Sequence, residues 1–381
     1  MVNPGVTPSM AGRKGRVISI LLAAVVFVSM TVTPVLAEGD DAPMVTGLPA
    51  GIVFIAGAAL LVYSVEKLIG FLTKAAVGLD LSLFVLAILF TGIEFDDVVF
   101  GVATNVENLD GVALGVVFGT ALSLTGITLA LAAILTPFEV DVPRDYLVLF
   151  ALSPFVMVPF VLSGSVTPSD GVVLIALFVL VFGYIVYRES SRNTPVFRDT
   201  EVREMLDGGV VRPAADDIPF VPDRELPGIA WLGLSVVALV GLVIGASAMS
   251  MGTEGIVTTY GIEDTVFGAT VATAVLTVED LFLTIEPVRR GAPEIGVGNV
   301  VGSVLFSVTG KIGVIALAGS IGIGSSVLVW HLPVFIVGTV LAAYFIHTGR
   351  LRPWQGYVLL GLYVAYWVVS FVVFGGAPIE M

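Results

Sequence analysis

Two stretches of this chain set adjacent acids in apolar sequence and follow them with a glycine-rich apolar run. The first reads Gly92-Ile-Glu94-Phe-Asp96-Asp97, then Gly115-Val-Val-Phe-Gly119-Thr120. The second, 183 residues on, reads Val275-Leu-Thr277-Val-Glu279-Asp280, then Gly298-Asn299-Val-Val-Gly302-Ser303. Asp97 to Thr120 and Asp280 to Ser303 have the same spacing, 23 residues. Carboxylates, hydroxyls and amide oxygens are the ligands hard cations take; calcium binds about six to eight at ~2.3–2.6 Å. One aspartate from each copy would supply two charges for a divalent ion, which makes Asp97 and Asp280 the candidate metal ligands. Thr120, Ser303, Thr277 and Asn299 are neutral oxygens around them, and Glu94, Asp96 and Glu279 are further acids. Ser303, Ser307 and Lys311 follow i, i+4, i+8 spacing and so share a helix face, with Asn299 one turn earlier. An ionisable group at bilayer depth costs at least ~2.5–3.5 kcal/mol, so acids there are functional candidates by default.

The surrounding sequence supplies that depth. The 381 residues are 57% hydrophobic and 13% charged, with mean hydropathy +1.03. Serial apolar runs of this length read as membrane helices. With no cysteine, disulfide and thiol chemistry are excluded. A net charge of −14 argues against nucleic acid as a partner; membrane lipid and inorganic cations are the partners expected. Arg13, Lys14 and Arg16 before an apolar run ending at Ala37 have the layout of a signal peptide or uncleaved first helix, residues 1–37.

Ten further spans are expected near 47–68, 80–103, 111–136, 145–164, 169–187, 227–250, 263–286, 294–318, 323–347 and 354–375. Threaded alternately from an outside start, they place 16 of the 17 Lys and Arg on the inner side, as the positive-inside rule requires. The remaining one, Lys311, lies inside a span. Its bland assignment is snorkelling to the outer interface; the other is an ammonium that neutralises a site carboxylate in place of a monovalent cation. Residues 47–187 form one five-helix half and 227–375 the other, joined by a polar cytoplasmic linker at 188–226. Five spans, a loop and five spans enter the membrane from opposite sides, so the halves are inverted repeats, with mature termini outside. The fold class is all-α and polytopic. Repeats of this kind place the ion site where the halves meet. Gly296-x-Gly298-x-x-x-Gly302 lies in a span with no preceding strand, which favours helix packing over a nucleotide loop. His331, His347, Trp330 and Trp354 read as interfacial.

These residues resemble the cation/Ca2+ antiporter superfamily, the sodium/calcium exchanger fold. Gly298-Asn299-Val-Val-Gly302-Ser303 matches that family's G-N-x-x-G-S, Gly268-Ala-Thr270 its G-L-T, and Gly57-Ala-Ala-Leu-Leu-Val62 its first-helix pattern. Its acidic signature, G-T-S-L-P-E, is altered here: Asp97 and Asp280 stand at the glutamate, Asp96 and Glu279 at the proline, Glu94 and Thr277 at the serine. The resemblance implies ten helices in two inverted five-helix halves and a secondary antiporter moving Ca2+ against Na+, with no catalytic residue and no cofactor. The added carboxylates make Ca2+/H+ exchange the rival. Two intramembrane aspartates also admit an aspartyl protease, and the drifted signature a relative that no longer transports.

Overall fold

The computed structural model describes residues 43–78, 94–190 and 228–375. The expected leader at 1–37, the first part of the span expected at 80–103 and nearly all of the 188–226 linker lie outside the described residues. The described chain is almost wholly helical: α1 (Gly47–Gly78), α2 (Phe95–Val106), α3 (Asp110–Leu135), α4 (Arg144–Ser163), α5 (Pro168–Ser190), α6 (Gly228–Tyr260), α7 (Asp264–Leu276), α8 (Val278–Arg289), α9 (Pro293–Ala318), α10 (Val327–His347) and α11 (Pro353–Phe374). Eight of the described helices are individually long and apolar enough to cross a bilayer. The expected single span at 263–286 is instead broken at Thr277, where α7 and α8 meet at 51°. The expected 47–68 and 227–250 spans run about ten residues longer, as α1 and α6.

Around the acidic motifs the two halves share their backbone design. Shifting α2 by the 183 residues that separate the acidic motifs reproduces α8 end to end. The same shift carries α3 onto α9, including a five-residue π-helical turn, Leu124–Thr128 in one and Ser307–Lys311 in the other. A π-turn inserts a residue into the helical ladder and is found mostly at functional sites.

Two short antiparallel ladders, absent from the sequence reading, obey the same symmetry. β1 (Phe138–Glu139) pairs with β4 (Arg350–Leu351), and β2 (Ser165–Val166) with β3 (Ile321–Gly322). Each ties a loop of one half to a loop of the other and satisfies backbone groups where the chain leaves its helices.

Glycines decide which helices touch. A Cβ on Gly57 of α1 would collide with the Met249 backbone of α6, and one on Gly245 of α6 would sit 2.6 Å from the Leu61 nitrogen of α1. Close approach at small residues is what holds helices together in a solvent that offers no hydrophobic drive between them. Gly119, directly before Thr120, does the same for α3 against Ala269 of α7. α3 and α9 are the most enclosed spans, while α5 and α11 present most of their surface outward. The repeated acids therefore lie on or beside the helices that the rest of the bundle wraps.

Candidate functional site: a buried carboxylate and ammonium cluster

The acids stand where helices begin. Asp96 and Asp97 occupy the first turn of α2, and Glu279 and Asp280 the first turn of α8. The amide end of a helix carries partial positive charge, which favours a carboxylate there. The family's helix-breaking proline is missing from both motifs, yet α8 still starts afresh after Thr277. Thr277 instead turns back on α7: its backbone N–H and its hydroxyl both donate to the Thr273 carbonyl, each at 2.8 Å. A hydroxyl competing for the same carbonyl is a known way to bend a helix.

The cluster is closed to solvent. Asp97 is 2% exposed, Asp280 7% and Lys311 0%; Asp96, Thr120, Asn299, Ser303 and Ser307 are also buried, and Glu279 is half-buried. Glu94 lies just before α2, with its side chain nearly covered. Asp96 is within electrostatic reach of Asp97, Glu94 and Glu279, and Asp280 within reach of all four. The five acids singled out in the sequence are thus neighbours in the structure.

The two aspartates have different partners. Asp97 accepts a 2.6 Å hydrogen bond from the Thr120 hydroxyl and forms an ion pair with Lys311. Lys311 pairs at the same time with Glu94. The ammonium has three donors and no need of the outer interface, so the snorkelling assignment does not hold. Asp280 instead accepts a 3.3 Å hydrogen bond from the Asn299 amide, which also donates to Thr284 at 3.3 Å. Thr284 was missed in the sequence, although it lies one helical turn beyond Asp280.

Several buried oxygens near these acids have no hydrogen-bond partner among the described residues: Asn299 Oδ1, Ser307 Oγ and Thr128 Oγ1. Ser303 Oγ lies beside the Glu94 carboxylate, outside hydrogen-bonding geometry. A buried unpaired oxygen costs about 1–3 kcal/mol. That cost falls away when a cation takes the lone pairs, so the donor set suits a hard, oxygen-loving ion. In this conformation no three acid or histidine side chains among the described residues converge on one point as a metal cage. In this conformation Asp97 is turned to Lys311 and Asp280 to Asn299.

The remaining expectations divide. His331 is fully buried, with its Nδ1 2.7 Å from the Tyr366 hydroxyl, rather than interfacial. His347 and Trp354 are exposed. Trp330 is partly covered and donates to Ser370 at 2.8 Å.

Fold and cluster together define a repeat-built, multi-pass membrane protein with ionisable groups buried between its halves. Residues 230–372 match the family model described as sodium/calcium exchanger protein. The chain is 24% identical to the sodium/calcium exchanger MaX1 of Methanosarcina acetivorans, over 76% of this chain and 88% of that protein. It is 22% identical to an uncharacterized membrane protein of Methanocaldococcus jannaschii, over 82% and 94%. Among solved structures, the sodium-calcium exchanger NCX_Mj, soaked with Na+ and Ca2+, has the same fold at TM-score 0.52 and 20% identity, covering 86% of this chain and 99% of that one. Residues 230–372 thus match the sodium/calcium exchanger family model, and the chain is similar in fold to a sodium-calcium exchanger.

Proposed function

We propose that this protein exchanges Ca2+ for Na+ across the cell membrane by alternating access, with Asp97 and Asp280 as the cation ligands. The observation that carries the reading is the duplicated aspartate in the first turn of a helix, once in each half. Each aspartate has a helix amino end behind it and hydroxyl or amide groups beside it. A divalent ion between them would draw Asp97 away from Lys311 and gain the unpaired oxygens of Asn299, Ser303 and Ser307. Na+ is drawn to the same carboxylate cluster, so the ions compete, and competition for one set of carboxylates is what couples the fluxes.

Asp97→Asn and Asp280→Asn keep the shape and lose the charge. Each is expected to abolish Na+-driven uptake of radiolabelled Ca2+ in proteoliposomes while the protein still elutes as a folded species. Near-wild-type flux in either refutes the assignment. Glu94, Asp96 and Glu279 favour Ca2+/H+ exchange as the second reading; Ca2+ uptake driven by a pH gradient at zero Na+ decides for it. An aspartyl protease needs its two aspartates to share one water, and here they have separate partners. The central loop is proposed to be cytoplasmic, with the termini outside. Cysteines replacing Arg203 and Glu380 should label from opposite sides of the membrane; labelling from one side sinks that orientation.

A further inference from the structure

Applying the 183-residue shift to the Lys311 cluster shows where the two halves part. The counterpart of Asp97 is Asp280, but the counterpart of Glu94 is Thr277 and that of Lys311 is Thr128. Lys311 and Thr128 are the last residues of the two π-turns, each held in place by the same irregularity of the backbone. Each half therefore carries one charged residue where the other has a threonine, an acid in the first and a base in the second. The acid and the base found each other: Lys311, wholly buried, bridges Glu94 and Asp97.

From this we infer that the Lys311 ammonium is a tethered cation, occupying beside Asp97 a place that a transported monovalent ion would otherwise fill. The inference rests on the antiport reading above and specifies its stoichiometry. A lysine ammonium is a compact point charge that donates in three directions. Glu94 cancels the charge that Lys311 adds, so the pair leaves the net charge of the cluster as two threonines would. What changes is occupancy. A covalently held ammonium blocks Na+ from the Asp97 side of the cluster, whereas the Asp280 side, with Thr128, Thr277 and Asn299, stays open to mobile ions. Ca2+ must then displace the ammonium from Asp97, and Glu94 is placed to receive it.

The decisive experiment replaces both members at once. Glu94→Thr with Lys311→Thr installs the residue types of the other half and conserves net charge. In proteoliposomes the expected result is a Na+ dependence steeper by about one ion, with one further positive charge moved per Ca2+. Lys311→Arg, which keeps a fixed cation, is expected to retain the wild-type coefficient. A transporting double variant with the wild-type Na+ coefficient and charge per Ca2+ overturns the inference. A scaffolding role alone would move thermal stability and leave the ion count unchanged. Should the double variant be silent in flux, equilibrium binding of radiolabelled Na+ to the purified protein decides: one additional ion bound supports the inference, and an equal number sinks it. Absence of Na+-driven Ca2+ flux in the wild type would remove the antiport reading itself, a separate result.

Discussion

The two halves of this protein share a backbone around their acidic motifs but differ in where they place charge. From α2 through α3 and from α8 through α9, helix ends, π-turns and the strands that follow coincide under one sequence shift. Along that shared frame the first half carries Glu94, Asp96, Asp97 and Glu107; the second places Thr277, Glu279, Asp280 and Arg290 at the same positions, with Lys311 opposite Thr128. Backbone geometry is held by glycine contacts and helix packing, which a changed polar side chain hardly disturbs. Charge is free to diverge as long as each buried ion finds a partner. The lesson is that symmetry of fold does not carry symmetry of site, and the ion pair formed where the symmetry fails is where specificity is to be sought.

The largest expected effect tests that asymmetry through stability. Asp97 balances a buried ammonium, while the polar partner of Asp280 is a neutral amide. Losing one member of a buried ion pair costs about 3–5 kcal/mol. Asp97→Asn is therefore expected to lower the melting temperature in detergent markedly, and Asp280→Asn to leave it unchanged or raise it. Equal melting shifts would mean that the two aspartates are equivalent after all.

The symmetric part of the comparison makes the next prediction. Gly57→Ala and Gly245→Ala each press a methyl group into the facing helix backbone, and overpacking of this kind costs about 1–3 kcal/mol. The two substitutions should be similar in effect, read by thermal unfolding. Gly183 of α5 has nothing within 4 Å of a built Cβ, so Gly183→Ala is the control, neutral or slightly stabilising. A harmless Gly57→Ala would break the account of the α1 and α6 contact.

The smallest effect concerns a loop carboxylate. Glu107, in the loop after α2, accepts a 2.5 Å hydrogen bond from Ser250. Burial pushes its carboxyl up to about 7, against the lowering effect of that bond. An acid whose folded value is raised binds its proton more tightly folded than unfolded, so stability is full below the ordinary carboxylate range and declines as pH rises toward 7. Glu107→Gln should flatten that decline, by roughly 1–3 kcal/mol between pH 4.5 and 7, measured by melting at several pH values. Its counterpart Arg290 pairs with Glu286 at 2.8 Å on an exposed surface. Exposed pairs contribute about 0–1 kcal/mol, so Arg290→Gln should leave the profile unaltered.

Much of this was legible in the sequence because the bilayer writes simple rules. Apolar runs of fixed length marked the spans, and the spacing from acid to glycine and hydroxyl marked the repeat. Lys311 stood out because a cation in an apolar run has few explanations. The break at Thr277 was not legible: with no proline, nothing in the local sequence separates a threonine that bends a helix from one that merely decorates it. Thr284 and Thr128 were passed over because a threonine in an apolar helix is ordinary until its neighbours are known. The burial of His331 against Tyr366 depended on helix packing that its position near a span end did not disclose.

Composition and periodicity therefore determined on their own that the chain lives in a membrane, that it is duplicated, and which acids repeat, since each of these follows from the cost of placing polar groups in hydrocarbon. Only the tertiary structure decided which acid is paired and with what. Lys311 and Asp97 are 214 residues apart, and no local rule links them. Their meeting requires α2, α3 and α9 to pack at glycine-lined contacts and a π-turn to bring the ammonium to the start of α2, where two carboxylates already stand.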